Sequence, residues 1–85
     1  MENISLNHPV EWNGTKIGKL AMRRPKVRDM IAADKSKGSD AEKEIYAFAN
    51  LCEMEEAFIQ ELDMQDYTKL QDAYRSFVQV GFQSK

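Results

Sequence analysis

The side chains of this 85-residue chain that could do chemistry are few and scattered. His8 is the only histidine and stands beside Pro9 in a predicted strand, and Cys52 is the only thiol and lies in an apolar helical stretch. Nucleophilic or acid–base catalysis needs a group with a near-neutral pKa beside a partner that orients it. Neither residue has such a partner close in sequence. We expect a sheet-edge side chain at His8 and a small buried hydrophobe at Cys52.

Acidic side chains are the remaining candidates for holding a metal ion or a cofactor. Glu55-Glu56, and Asp63 with Asp66, could each offer two carboxylates to a divalent cation. Such sites need ligands that converge around a tight turn, and neither pair has the spacing or the glycine of a calcium-binding loop. A glycine-rich phosphate loop is also missing. We therefore expect no catalytic residue, no metal and no cofactor, which indicates a protein that is not an enzyme.

Methionine is frequent, with five among 85 residues. Its flexible thioether adapts to a partner surface as well as to gaps in a core. Near the C-terminus, Val80 and Phe82 have no evident place in the predicted core. The candidate partner-binding residues are therefore Met22, Met30, Met54, Met64, Val80 and Phe82, with core filling as the alternative for the methionines.

The charges are segregated, although the net charge is only −2. Residues 15–37 contain eight Lys or Arg and two Asp, whereas residues 40–66 contain nine Asp or Glu and one Lys. The two halves could complement each other within the fold or between copies, so self-association is left open. The candidate basic patch comprises Arg23, Arg24, Lys26 and Arg28. Nucleic acid is a disfavoured partner for this patch, because it lacks interleaved aromatic residues and a recognition helix.

The compartment follows from the cysteine count and the apolar runs. One cysteine cannot form an intrachain disulfide, which indicates a reducing environment. No run of about 18 apolar residues is present, and residues 1–5 lack the basic-then-apolar order of a secretory signal. We expect a cytoplasmic protein without membrane association.

The first element that must position these residues is a β-hairpin. Asn13-Gly14 tolerates the positive φ angles of a type I′ turn and stands between two short strand-like segments. A bulge at Gly18-Lys19, opposite Pro9, would give the hairpin one apolar face. That face would carry Ile4, Leu6, Val10, Ile17, Leu20 and Met22.

Helices are predicted after the hairpin. Pro25 suits the first position of a helix that ends near Lys35, and Val27, Met30 and Ile31 form its apolar stripe. A second helix starts at Ser39, which could form a capping box with Glu42, or at Asp40. The region 40–62 could be one helix or two, and we favour a break at Cys52-Glu53-Met54.

The last helix is predicted to begin after Asp63 as its cap and to run to about Val80. The fold class is therefore α+β: a two-stranded antiparallel β-hairpin followed by three or four short α-helices. We expect a single domain over residues 1–85, with the hairpin at about 3–23 and the helical part at about 25–80. A short polar tail would follow.

Two segments carry a resemblance to a known family. The hairpin ends in residues 20–29, Leu-Ala-Met-Arg-Arg-Pro-Lys-Val-Arg-Asp. After further helices, residues 62–71, Leu-Asp-Met-Gln-Asp-Tyr-Thr-Lys-Leu-Gln, precede a closing Ser76-Phe77. This order resembles the small tail assembly chaperones of Mu-like and P2-like contractile-tailed phages over residues 4–78. Members often have a glycine after the second helix, where this chain has Cys52-Glu53-Met54. On the family pattern, Arg24, Pro25 and Asp29 match the strand-to-helix junction, and Leu62, Asp66 and Tyr67 match the last helix start.

The resemblance implies a chaperone that acts in the bacterial cytoplasm and is absent from the finished virion. It would bind the long tape-measure protein, keep it soluble and help tail-tube subunits polymerise around it, with the tail-tube protein as a second partner. No cofactor is implied. Whether a longer, frameshifted form exists stays open. The alternatives are a small nucleic-acid-binding regulator that uses the basic patch, and a structural tail component that stays in the virion.

Overall fold

The computed structural model describes residues 1–79, which form a two-stranded antiparallel hairpin followed by four helices. The strands are β1 (Glu2–Trp12) and β2 (Thr15–Met22). The helices are α1 (Val27–Lys35), α2 (Asp40–Cys52), α3 (Glu56–Gln60) and α4 (Met64–Val78). The predicted α+β class is confirmed.

Turns and caps form where local sequence signals predict them. Asn13 and Gly14 have φ angles of 52° and 81°, as a type I′ turn requires. The N–H of Glu42 donates to the hydroxyl of Ser39 at 3.2 Å, and the Ser39 N–H donates to the Glu42 carboxylate at 2.8 Å. The Asp63 carboxylate accepts from the backbone N–H two residues later at 2.9 Å. Each signal needs only residues close in sequence.

The register of the hairpin shifts in its middle. Ser5 pairs with Lys19 and Val10 with Ile17, so four residues of β1 span the stretch that Gly18 alone spans on β2. An interruption at this point is predicted from the sequence and is confirmed. The surplus residues lie in β1, however, so the prediction of an additional residue in β2 is wrong.

The buried carboxylate of Asp66 explains why β1 leaves the ladder. Its two oxygens accept hydrogen bonds from the backbone N–H groups of Asn7 and His8, at 2.8 and 2.9 Å. Lys69, one turn further along α4, places its ammonium 3.5 Å from the same carboxylate. N–H groups bonded to α4 are not available to β2, and the next residue, Pro9, has none. The bulge is therefore fixed by a contact with a helix nearly sixty residues away in sequence.

One apolar core lies between the hairpin and the helices. The six predicted residues of the hairpin's apolar face all belong to this core or pack against it. Trp12 contacts Phe58 of α3 edge to face, with ring centroids 5.6 Å apart. The fully buried large side chains are Phe48, Phe58, Met22, Leu51, Leu70 and Asp66. Burial of apolar side chains from both the hairpin and the helices favours folding.

Three helix boundaries bear on the predictions from the sequence. α1 begins at Val27 and not at Pro25 as predicted, because the Asp29 carboxylate accepts from the Lys26 N–H at 2.7 Å and makes Lys26 the N-cap. The favoured break after Cys52 is confirmed, since Glu53 adopts the left-handed conformation with φ of 56° and ends α2. α4 ends at Val78, and residue 80, its predicted end, lies outside the described residues.

Replacing Asp66 with Asn should lower the free energy of unfolding by about 2–4 kcal/mol, because the amide can accept from only one of the two buried N–H groups. Asp72→Asn is the matched control, since Asp72 is exposed and its pair with Arg75 lies at the surface. That control should change stability by no more than about 0.5 kcal/mol. Urea unfolding at pH 7 measures both.

The same comparison has a predicted pH dependence. Burial raises the pKa of Asp66, but the Asn7 and His8 N–H donors and Lys69 lower it by more, so it lies below its ordinary 3.8. Stability from a lowered carboxyl pKa is fully present above the ordinary value and is lost as the pH falls from there through the lowered pKa of the folded protein. The advantage of wild type over Asp66→Asn should therefore shrink below about pH 4. Equal stability of the Asp66 and Asp72 variants at pH 7 would contradict the account.

Candidate functional site

Helix α1 is inverted relative to an ordinary amphipathic helix. Its large apolar side chains are exposed, with exposed fractions of 71% for Val27, 61% for Met30 and 46% for Ile31. Of its four charged residues, Arg28, Asp34 and Lys35 are exposed, but Asp29 is only 7% exposed. The stripe predicted from the sequence therefore exists, but it faces away from the core. We call Val27, Met30 and Ile31 the α1 stripe.

A four-bond clamp holds Asp29 inside. The two terminal nitrogens of Arg23 each donate to one oxygen of the Asp29 carboxylate, both at 2.9 Å. The Lys26 N–H donates at 2.7 Å, and the side-chain amide of Asn50 on α2 donates at 3.0 Å. The Arg23 hydrogen bonds are the main reason that the pKa of Asp29 lies far below its ordinary value, although burial opposes the shift. The pKa of Arg23 is raised, chiefly by its bond to Asp29.

The α1 stripe is exposed because it lies on the opposite side of the helix from the clamped Asp29. Successive residues are rotated by about 100°, so Asp29 lies nearly opposite Val27 on the helix. The face that Asp29 shares carries Ala32, Ala33 and Ser36, which are half-buried and small enough for α1 to pack closely on α2. Fixing Asp29 inward therefore fixes the α1 stripe outward.

An apolar groove lies beside the α1 stripe. Its volume is about 270 Å³. Its apolar lining is Met30 and Ala33 of α1, Ala47 and Phe48 of α2 and Tyr74 of α4, and the charged residues Asp34, Lys43 and Glu44 also line it. The Phe48 and Tyr74 rings contact each other with centroids 5.8 Å apart, which makes an aromatic floor. The volume is at the lower limit of small-molecule pockets and suits one or two inserted side chains. Val78, 48% exposed, is one turn after Tyr74 and extends the apolar surface along α4.

The candidate basic patch is divided by the fold. Arg23 is committed to Asp29 with its side chain 23% exposed, so it is not available to a partner, and its assignment to the patch is wrong. Arg24 lies over the Phe77 ring of α4, 5.3 Å from the centroid, with its charge still exposed. Lys26 and Arg28 are exposed at the start of α1. These three cations border the N-terminal end of the α1 stripe.

The candidate partner-binding methionines differ in their exposure to solvent. Met22 is 0% exposed and belongs to the core, so its assignment to a binding surface is wrong. Met30 lies in the α1 stripe, whereas Met54 is half-buried beside α3, and Met64 is 67% exposed at the start of α4. The other two candidates, Val80 and Phe82, lie outside the described residues.

Sequence reasoning missed three exposed apolar residues. The sequence predicts Val27 and Ile31 in the helix stripe, and Val78 in the last helix, but it does not single them out as partner candidates. The opposite face of the helix carries the sequence signal that could have revealed them. That face has Asp29 among alanines, and a face with an acidic side chain is poorly suited to a core. An apolar stripe opposite such a face indicates a helix that binds a partner.

The other chemistry-bearing residues of the described part of the chain are Cys52, His8 and the acidic side chains. Burial raises the pKa of Cys52 to about 11, so the reactive thiolate is disfavoured. His8 is at the surface, where its ring nitrogen lies 2.9 Å from the Gln65 side-chain oxygen. Within residues 1–79, no three His, Cys, Asp or Glu side chains converge to hold a metal ion. None of the helices in this range is long and apolar enough to span a bilayer.

The two differently placed methionines give a matched test. Met22→Ala should lower the free energy of unfolding by about 2–4 kcal/mol, because it leaves a cavity in the core. The identical substitution at Met30 should change stability by no more than about 0.5 kcal/mol, because that side chain is exposed. Urea unfolding curves of the two variants measure the difference. Equal losses would mean that α1 packs its apolar stripe inward.

The clamp, the inverted helix and the groove fall within a region that matches a known family. The family model described as phage tail assembly chaperone proteins, E, or 41 or 14, matches residues 3–79. No curated protein and no solved structure matches the chain at a significant level. Because the match covers nearly the whole chain, including both strands and all four described helices, the chain belongs to this family of phage tail assembly chaperones.

Proposed function

We propose that this chaperone binds the tape-measure protein of its phage or prophage, keeps it soluble and assists tail-tube assembly. Membership of the tail assembly chaperone family supports a non-catalytic role among tail proteins. The single structural observation that carries the proposal is the exposed α1 stripe with its adjoining groove. A contiguous apolar surface on a small soluble domain is typical of a protein-binding site.

The physical mechanism is masking of apolar surface. A long helical client exposes apolar stripes that associate with each other, and a chaperone bound to those stripes lowers the concentration of free sticky surface. The chaperone must also leave when tail-tube subunits arrive. At an association rate of about 10⁶ M⁻¹s⁻¹, an affinity near 1 μM corresponds to release about once per second, which permits displacement.

The small size of the α1 stripe agrees with such a moderate affinity. The nine residues of α1 span about 14 Å, and three large side chains project from it. An interface of this extent belongs with small, transient protein contacts rather than permanent ones. Several copies could therefore bind along one client and dissociate independently.

Co-expression tests the proposed function. The chain and the tape-measure protein encoded with it should give more soluble tape-measure protein than the tape-measure gene alone, and the two should co-purify. The control carries the chaperone gene with an early stop codon, so that transcript and gene order are unchanged. Mass spectrometry of purified tails should not detect the chaperone.

Two outcomes would contradict this function. The first is unchanged solubility of the tape-measure protein together with no co-purifying complex. The second is recovery of the chain from purified tails in a fixed ratio to the tail-tube protein, which would identify a structural component.

A further inference from the structure

The charges around the α1 stripe are predominantly positive. Asp29 is buried and neutralised by Arg23, so neither contributes a free charge to this surface. The exposed charged residues in the segment from 24 to 37 are Arg24, Lys26, Arg28, Asp34, Lys35 and Lys37. This segment therefore places five cations and one anion around three exposed apolar side chains, and Lys43 and Glu44 of α2 add one charge of each sign where they line the groove. A partner that fits this surface has apolar side chains with acidic neighbours.

The geometry of the surface matches a helix more closely than an extended peptide. The α1 stripe has the i, i+3, i+4 spacing with which one helix contacts another along its length. The adjoining groove lies between helices, and residues of α1, α2 and α4 line it. Neither strand contributes to its lining, so no sheet edge is available there for an added strand.

We propose that this surface binds an amphipathic helix whose apolar stripe is bordered by Asp and Glu, and that one of its apolar side chains enters the groove onto Phe48 and Tyr74. The inference rests on the proposed function, because the helix belongs to the tape-measure protein. The cations around the α1 stripe select client segments by charge. The chaperone therefore binds acidic amphipathic stretches and not every apolar stretch of the client.

A second copy of this chain fits the surface less well. Packing the α1 stripe of one copy against that of another would bring two strongly basic borders together, which is unfavourable. The acidic part of the described chain exposes one large apolar side chain, Met64, beside Glu61 and Asp63. One side chain cannot supply the repeated contacts that a three-residue stripe requires.

Two variants of the full chain separate apolar from charged recognition. The stripe variant carries Val27→Ser, Met30→Gln and Ile31→Ser, and the border variant carries Lys26→Glu, Arg28→Glu and Lys35→Glu. All six side chains are exposed, so both variants should fold, which circular dichroism melting verifies. The matched controls are Met64→Gln, an exposed methionine elsewhere, and Lys16→Glu with Lys19→Glu, exposed cations on the hairpin.

The probe is a set of overlapping synthetic peptides that covers the tape-measure sequence, measured by fluorescence anisotropy. We expect binding by helical segments with acidic residues beside their apolar stripe. The stripe variant should lower affinity at least about tenfold, and the border variant should lower it several-fold at low salt with little difference near 1 M salt. The control variants should bind like wild type.

The possible failures are distinguishable. If wild type binds no tape-measure segment, both the proposed function and this inference are overturned. If wild type binds but the stripe variant binds equally well, or if the bound segments are basic or non-helical, only the inference is overturned. If the stripe variant loses self-association detected by sedimentation while it still binds the peptides, the surface is an interface between copies and the inference is also overturned.

Discussion

The clamp on Asp29 is the constraint on which the binding surface depends. Each charged hydrogen bond in the clamp contributes about 1.5–3 kcal/mol, and fully burying each large apolar side chain of the α1 stripe would contribute about the same. The two sets of interactions are therefore comparable, and the small residues beside Asp29 decide between them. Ala32 and Ala33 are half-buried, and their small side chains let α1 lie close to α2. The helix stays inverted, and burial of the α1 stripe remains available for a partner.

A second buried carboxylate, Asp66, also connects a helix to the hairpin. Asp66 and Asp29 are each the third residue of a helix, where the partial positive charge of the N-terminus favours a carboxylate. Asp66 joins α4 to the bulge of β1, and Asp29 joins α1 and α2 to the chain leaving β2. The hairpin is thus attached to the helices on both strands. A chain this short has a small core, so such polar attachments carry a large share of its structural specificity.

The features that were predictable from the sequence are those encoded within a few residues. The Asn13-Gly14 turn, the Ser39 cap and the Asp63 cap all form as predicted, because donor and acceptor are close along the chain. The errors arise where a distant residue decides the outcome. The bulge lies in β1 because Asp66, almost sixty residues away, takes two N–H groups of that strand. The apolar spacing of α1 predicts the stripe but not its direction, which Asn50 and Arg23 fix from outside the helix.

Only part of the candidate site could be predicted from the sequence. Family resemblance indicated a tail assembly chaperone, and the methionine count drew attention to Met30, but composition could not distinguish Met30 from the buried Met22. That distinction requires the direction of α1, so the orientation of this helix determines where the binding surface lies.

The most direct test uses the native methionines as probes. Hydrogen peroxide should oxidise Met30 at a rate close to that of exposed Met64, and at least about tenfold faster than buried Met22, as followed by peptide mass spectrometry. Protection of Met30 equal to that of Met22 in the isolated chain would show that α1 packs its apolar stripe inward, and the account would be wrong.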